Sequence, residues 1–271
     1  MKSLLIITLI AYAVAAIHAL LAFINKRRSA ERTALYTLAA AFTGHTVALA
    51  LDWVQHGHYP LFGLRETFSF LAWTLVVAYG LALYRYHARA LGAITLPIVT
   101  LLLLVAILVH AGDNAAANSV TQGVAVWLFP IHTTLLVCAY AAFFVVFAAS
   151  VMYLWQEREL KLKTFSAFFH RLPSLSTVDD IGATAVGIGF TLLSLGILTG
   201  IIWSSERSGR LWHNDPKEVS ALLTWLLYLT MIHYRAQWRG RKAAWVGVAG
   251  FVLVVFTFLG TRWLGGYHVF G

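Results

Sequence analysis

Residues 131–155 read IHTTLLVCAYAAFFVVFAASVMYLW, twenty-five residues without one Asp, Glu, Lys or Arg. A helix needs about 20 mostly apolar residues to cross the hydrocarbon core of a bilayer. A run this long and this free of charge reads as a membrane span. Working outward from it, seven further apolar runs follow the same rule: Leu4–Ile24, Ala34–Val54, Phe68–Tyr86, Gly92–His110, Ile181–Trp203, Val219–Tyr234 and Ala243–Leu264. The expected fold is all-α, a polytopic membrane helix bundle of about eight transmembrane helices. The composition agrees, with 60% hydrophobic and only 11% charged residues over 271 positions. A soluble domain carries about 25% charged residues.

The 20 Lys and Arg against 11 Asp and Glu do not mark a nucleic-acid binder, because the excess sits in the short loops between spans. Lys26, Arg27, Arg28 and Arg32 follow the first span, and Arg85 and Arg89 the third. Arg158, Lys161, Lys163 and Arg171 follow the fifth; Arg235, Arg239, Arg241 and Lys242 follow the seventh. Fourteen of the 20 therefore share one side, which the positive-inside rule assigns to the cytoplasm. Both termini and the stretch RLWHNDPKE (210–218) are expected outside, in a multi-pass protein of the inner or plasma membrane. The first span, followed directly by NKRR, reads as a retained helix rather than a cleaved signal. The whole chain, 1–271, reads as one membrane domain.

Two loops are more than connectors. LKTFSAFFHRL (162–172) spaces Phe165, Phe168, Phe169 and Leu172 helically among basic residues, which predicts a short amphipathic helix on the inner membrane surface. HAGDNAAANSVTQGVAVWLFPIH (110–132) is small and polar, then aromatic, and suits an interfacial loop or short re-entrant cover. The single cysteine, Cys138, lies inside a span. The chain therefore has no disulfide framework and no C-x-x-C-H haem-attachment motif.

In RLWHNDPKE, Asp215 reads as a helix N-cap, Pro216 as the first helical residue and Glu218 as the partner that completes a capping box. The positive end of that helix then lies at the outer face, where it suits a carboxylate or phosphate. A cap does not account for Trp203, Arg207, Arg210, Trp212 or His213. The tryptophans have an ordinary alternative as interfacial anchors.

Eleven histidines are many for so apolar a chain, since an ionisable group in a span is costly and faces the interior with a partner. By depth, two pairs stand out. His132 opens the fifth span and His268 lies beyond the eighth, both outside; His45 is midway along the second and His233 in the inner part of the seventh. Two neutral imidazoles from separate helices can ligate a haem iron from both faces. A zinc ion would be left with half a tetrahedral site. For each histidine singly, a hydrogen-bonded packing role stays open. His56 and His58 in QHGHYP are either a metal site or solvated loop residues.

At these positions the sequence resembles the cytochrome c assembly family, which includes CcsA, HemX and YpjD types. GHTVALALDWVQHGHYPLFGLRETFSFLAW carries His45, FPIHTTLLVCAYAAFF carries His132, and LPSLSTVDDIGATAVGIGFTLLSLGILTGIIW leads into the outer loop. DPKEVSALLTWLLYLTMIH carries His233, and WRGRKAAWVGVAGFVLVVFTFLG with GYHVFG closes on His268. The resemblance implies a non-covalent, b-type haem held at the outer face by His132 and His268. It links His45 and His233 to haem arriving from within the bilayer. Trp212 and Trp203 would pack on the ring, and Arg207, Arg210 or Arg262 with the helix start at Asp215 would meet the propionates. His213 is a further candidate contact. The implied partners are apo-cytochrome c and a second, CcsB-like membrane protein of a cytochrome c synthase system. CcsA types carry Trp-x-Trp-Asp in the outer loop, whereas this chain has Trp212, His213, Asn214, Asp215. The departure leaves three readings: a component of a cytochrome c haem lyase, a HemX/YpjD-type assembly or regulatory subunit without synthase activity, or a bis-His b-type electron-transfer protein. Gly182, Gly187, Gly189, Gly196 and Gly200 of the sixth span are expected to allow close helix packing, within the bundle or with a partner.

Overall fold

A computed structural model of the chain describes residues 2–260, apart from 26, 58, 60, 62, 110–124, 165–168 and 236. The described residues form eight α-helices and no strand: α1 (Lys2–Asn25), α2 (Arg28–His56), α3 (Leu64–Tyr86), α4 (Ala90–Leu108), α5 (Ala125–Leu162), α6 (Leu175–Ser208), α7 (Pro216–His233) and α8 (Arg241–Leu259). The helices fall where the apolar runs predict them. Several are longer than the runs, with α5 reaching 38 residues and α6 reaching 34, because polar turns extend the backbone ladder beyond the apolar stretch. Seven of the eight are long and apolar enough to cross a membrane. α7 is not among them, since it opens on Pro-Lys-Glu and closes on His233. The chain is a polytopic helical membrane protein.

The stretch expected as an amphipathic helix, 162–172, is described only in part. α5 ends at Leu162, Lys163 takes a left-handed φ of 53°, and the described remainder holds a single 3₁₀ turn at Phe169–Arg171. Residues 165–168, and 110–124 of the outer stretch, lie outside the described residues.

The chain divides into two compact units, one of Met1–Gly112 with Trp155–Ser174, the other of Asp113–Leu154 with Leu175–Gly271. In the first unit α1 packs along α2 and α4, and α3 along α4. The buried residues of α2 are Ala30, Ala34, Leu38, Ala41, His45, Ala48 and Asp52. Their spacing of three or four is one helical stripe, and it puts His45 and Asp52 on the covered face rather than toward lipid. Trp73 Nε1–H donates to Thr46 Oγ1 at 2.9 Å beside that stripe. Asp52 receives Arg65 Nη2–H at 3.1 Å and accepts a contact from His56 Nδ1 at 3.3 Å.

In the second unit, α5 and α6 run antiparallel and touch through glycine. A Cβ built at Gly189 would lie 2.6 Å from the Phe143 ring, one at Gly196 2.7 Å from Leu136, and one at Gly200 2.5 Å from His132. As the numbers rise along α6 they fall along α5. These three glycines therefore serve packing inside the unit, and Gly182 meets Ala149 in ordinary contact at 3.9 Å. Gly187 meets nothing within 4 Å. Phe143 also stacks on Tyr228 of α7, with centroids 3.8 Å apart and planes 3° from parallel. This ring pair sits in the core between α5, α6 and α7.

Candidate functional site

His132 lies about two turns inside α5 and is half-buried. Its Nδ1 is 2.7 Å from the carbonyl oxygen of Gly196 on α6. A carbonyl can only accept, so Nδ1 carries the ring proton and Nε2 holds the lone pair. This is the tautomer that a metal-binding histidine uses when its second nitrogen is hydrogen-bonded. Trp203 of α6 lies alongside, with centroids 6.4 Å apart and planes 9° from parallel. Trp203 is only 3% exposed and is also packed against Phe129 at 5.4 Å. The Arg207 guanidinium sits 5.3 Å above the Trp203 ring, within cation–π range. His132, Trp203 and Arg207 therefore form one cluster. His268 and Arg262 lie outside the described residues.

The loop from Gly209 to Asp215 is folded on the start of α7 as the sequence predicts. Asp215 Oδ1 accepts from Lys217 N–H at 2.7 Å, and Glu218 Oε2 accepts from Asp215 N–H at 3.3 Å, completing the capping box with Pro216 in first place. Glu218 does more than cap, because Oε2 also accepts from His213 N–H at 2.8 Å and Oε1 lies 3.3 Å from His213 Nδ1. The His213 ring is further held by Ser204 Oγ at 3.2 Å and Ser208 Oγ at 2.8 Å. Both of its nitrogens are thus engaged, by side chains of α6 and α7. Ser204 Oγ donates to Arg210 O at 3.1 Å, which ties the loop to the end of α6 directly after Trp203. Trp212 is 42% exposed, and its Nε1–H donates to Asn214 Oδ1 at 2.7 Å. Asn214 takes a left-handed φ of 55°, a conformation Asn tolerates better than most residues. The Arg210 side chain is exposed.

His45 in the first unit is held differently. It is 0% exposed, with Nδ1 3.3 Å from Tyr12 Oη of α1 and Nε2 3.0 Å from Ser69 Oγ of α3. The Tyr12 and His45 rings meet edge to face at 5.7 Å and 72°. His233 ends α7 in the second unit, exposed, with its ring against Tyr234 at 5.0 Å. His56 Nδ1 bonds Asp52 O at 3.0 Å, and among the described residues no group of three His, Cys, Asp or Glu is placed to hold a metal ion. His58 lies outside the described residues.

The partners of the histidines were not visible as site residues in the sequence. Gly196 contributes a backbone carbonyl, and Gly200 contributes only the absence of a side chain beneath the His132 ring. Their four-residue spacing within an apolar span was the one available signal. Ser204 and Ser208 carry a similar signal, at one helical turn, but serines at a helix end are common.

Residues 61–268 match the family described as Cytochrome C assembly protein. The chain belongs to that family. Within the cytochrome c assembly family it is similar to the cytochrome c biogenesis protein CcsA of Guillardia theta, 30% identical over 245 residues, covering 83% of this chain and 81% of that protein. It is also similar to the CcsA of Prochlorococcus marinus subsp. pastoris, 30% identical over 275 residues, covering 93% and 87%. Among solved structures it is similar to the cytochrome c heme lyase CcmF, with a TM-score of 0.62 and 16% identity, over 96% of this chain and 48% of that one. At that identity the likeness is one of fold, and this chain spans about half of the larger structure.

Proposed function

We propose that this member of the cytochrome c assembly family binds haem as cargo and presents it at the outer face of the membrane for cytochrome c assembly. The observation that carries the reading is the carbonyl of Gly196 on His132 Nδ1, 2.7 Å away, with Trp203 lying parallel to the ring. That arrangement sets the imidazole in the tautomer whose Nε2 carries the lone pair and puts a flat indole beside it. In this reading His132 would hold the haem, with His268 as the second ligand. Arg207, Arg210 and the helix start at Asp215 offer positive charge to the propionates. With no C-x-x-C-H motif in the chain, haem would be held by exchangeable imidazole ligation as a b-type group. In this reading His45 and His233 each keep the role that the resemblance implies, with haem that arrives from within the bilayer. The recipient in this reading is an apo-cytochrome c, assisted by a second, CcsB-like membrane protein. The loop faces away from the cytoplasm, in keeping with the side that holds only 6 of the 20 Lys and Arg.

A second reading, an assembly subunit without synthase activity, is favoured by Asn214. The left-handed backbone there and the hydrogen bond from Trp212 make the loop more polar than a tryptophan would. Oxidised and reduced absorption spectra of the detergent-purified protein, beside His132→Ala and His268→Ala, test the first reading. A low-spin haem spectrum in the parent that falls in both variants is expected. No haem in the parent, even when haem is supplied during expression, would overturn it. Transfer of bound haem to an apo-cytochrome acceptor separates a carrier from an electron-transfer protein.

A further inference from the structure

The buried face of α8 is lined by small residues, and hydroxyls of its neighbours lie against it. A Cβ built at Gly250 would lie 2.8 Å from Tyr228 Oη of α7, and one at Gly247 2.4 Å from Ser150 Oγ of α5. At Gly240, the cap of α8, it would lie 2.5 Å from Tyr153 Oη of α5. Three hydroxyls therefore follow one groove from the start of α8 to its middle. Small residues alone would mean only close packing. Tyr228 adds a second observation. It is 0% exposed, and its Oη is buried with no hydrogen-bond partner among the described residues. Buried polar groups are nearly all paired, by protein or by ordered water, and an unpaired one is costly.

Beside Ser150 the groove is not filled. The four helices of this unit leave a cavity with room of about 20 Å³ for the centre of a water molecule, enough for a single water. Ser150, Tyr153, Asp179 and Arg235 form its polar lining, and a buried water needs two to four such partners. One end lies at the Asp179–Arg235 pair, which is partly exposed. The other lies at Met231, one turn from Tyr228 on the buried face of α7. Beyond Tyr228 the chemistry changes. Thr224 Oγ1 donates to Ser220 O and Thr257 Oγ1 to Leu253 O, each at 2.8 Å. Their oxygens lie 3.5 Å apart, but a hydroxyl has one hydrogen, and both are already spent on their own helices.

We propose that the cavity binds water and that the groove of α8 is a proton-access path, leading from the Asp179 end of this unit to Tyr228 in its core. Ser150 Oγ is the link. Gly247 and Gly250 are about one helical turn apart, roughly 5 Å along the axis, which one water spans with two O–H···O bonds of about 2.8 Å each. Hydrogen moves by exchange along the file. Each oxygen gives up one hydrogen as it receives another, so no charge is stranded in the core. The path stops at Tyr228, because Thr224 and Thr257 have no hydrogen to pass on. The unit thereby takes solvent hydrogen from one end only and stays closed toward the loop at 209–215.

The test is infrared spectroscopy of the detergent-purified full chain moved from H₂O to D₂O, following the S–H stretch of a single thiol. Cys138→Ala removes the native one, and Ser150→Cys or Ala141→Cys supplies the reporter. Ala141 is buried on α5 and is not part of the cavity wall. Ser150→Cys is expected to exchange about ten-fold faster than Ala141→Cys, since local solvent access rather than global opening then sets its rate. Gly182→Ala should slow Ser150→Cys several-fold. Its new methyl group fills the cavity wall and meets only Ala149, at 3.9 Å. Tyr228→Phe keeps the stack on Phe143 and removes the hydroxyl, and should lower the midpoint of thermal unfolding because the water loses a partner. Exchange of Ser150→Cys no faster than Ala141→Cys, or unchanged by Gly182→Ala, overturns the water site. A raised midpoint in Tyr228→Phe means a dry, unpaired phenol and overturns the path to Tyr228. Should Ser150→Cys not fold, the direction of that midpoint decides alone.

Discussion

The His132 ring rests directly on Gly200, with Nδ1 bonded to the Gly196 carbonyl one turn away. A Cβ at position 200 would lie 2.5 Å from His132 Cε1 and 2.7 Å from Nδ1, far inside van der Waals contact. Gly200→Ala should therefore push the ring off the carbonyl and free its tautomer. Haem affinity at the outer site is expected to fall by about 10-fold, the scale seen when the second-nitrogen partner of a ligating histidine is lost. Gly187→Ala is the control, since that position meets nothing within 4 Å. Haem titration of both variants, with far-UV circular dichroism to confirm helix content, checks this. Equal affinity for the two would mean the glycine seat does not govern His132.

The departure from Trp-x-Trp-Asp is tied to backbone geometry. Asn214 sits at φ 55°, where a side chain other than Gly, Asn or Asp costs about 1–2 kcal/mol. Asn214→Gly should leave stability nearly unchanged apart from the lost bond to Trp212. Asn214→Trp should cost about 1–2 kcal/mol, seen as a lower midpoint of thermal unfolding in detergent. A tryptophan that leaves the midpoint unchanged would show that the loop reshapes freely.

The helices were legible in the sequence because charge-free runs of membrane length have few other readings. The cap at Asp215 was equally plain, since Asp-Pro-x-Glu is a local code that the next three residues complete. What could not be read was what each histidine touches. Tyr12, His45 and Ser69 are 33 and 24 residues apart and meet only because α1 and α3 both pack on α2. His132 is fixed by a main-chain carbonyl that no residue identity announces. Glu218 was legible as a capping residue but not as the carboxylate that also holds His213, because that contact needs the loop to turn back on itself.

That double use of Glu218 separates it from Asp215. Asp215→Ala removes one N-cap bond and should cost about 1 kcal/mol, with Asp215→Asn close to neutral. Glu218→Ala releases the Asp215 N–H and the His213 N–H together and removes one of the holds on the His213 ring, so it should destabilise more than Asp215→Ala and also loosen the loop. Thermal unfolding orders the three variants, and limited proteolysis within 209–215 reads the loop. Cleavage no faster in Glu218→Ala than in Asp215→Ala would show that the cap alone holds it.

Asp179 makes the corresponding tie at the other end of the second unit. Its carboxylate accepts from Arg235 Nη1 at 3.2 Å and Nη2 at 2.8 Å, and its Oδ1 accepts from Gly240 N–H at 3.3 Å. Arg235 Nη2 also donates to the Asp179 carbonyl at 3.3 Å. One side chain thus fastens the first turn of α6 to the turn joining α7 and α8. The carboxylate is well covered and the guanidinium partly so, at 13% and 28% exposure. This places the pair between the weak surface class and the fully buried class. Asp179→Ala leaves a half-covered guanidinium and a backbone N–H without their acceptor, and is expected to cost about 2 kcal/mol, the scale of hydrogen bonds to charged groups. Asp179→Asn keeps one acceptor oxygen for Gly240 or Arg235 and should cost about half as much. Removing both partners, in Asp179→Ala with Arg235→Ala, should cost less than the two single changes added together, because the stranded charge is gone. Thermal or denaturant unfolding of the four proteins in one detergent closes the cycle. Strict additivity would mean that the bidentate geometry adds no coupling, and that Asp179 acts through Gly240 and through Arg239, whose Nε lies 3.8 Å from Oδ2.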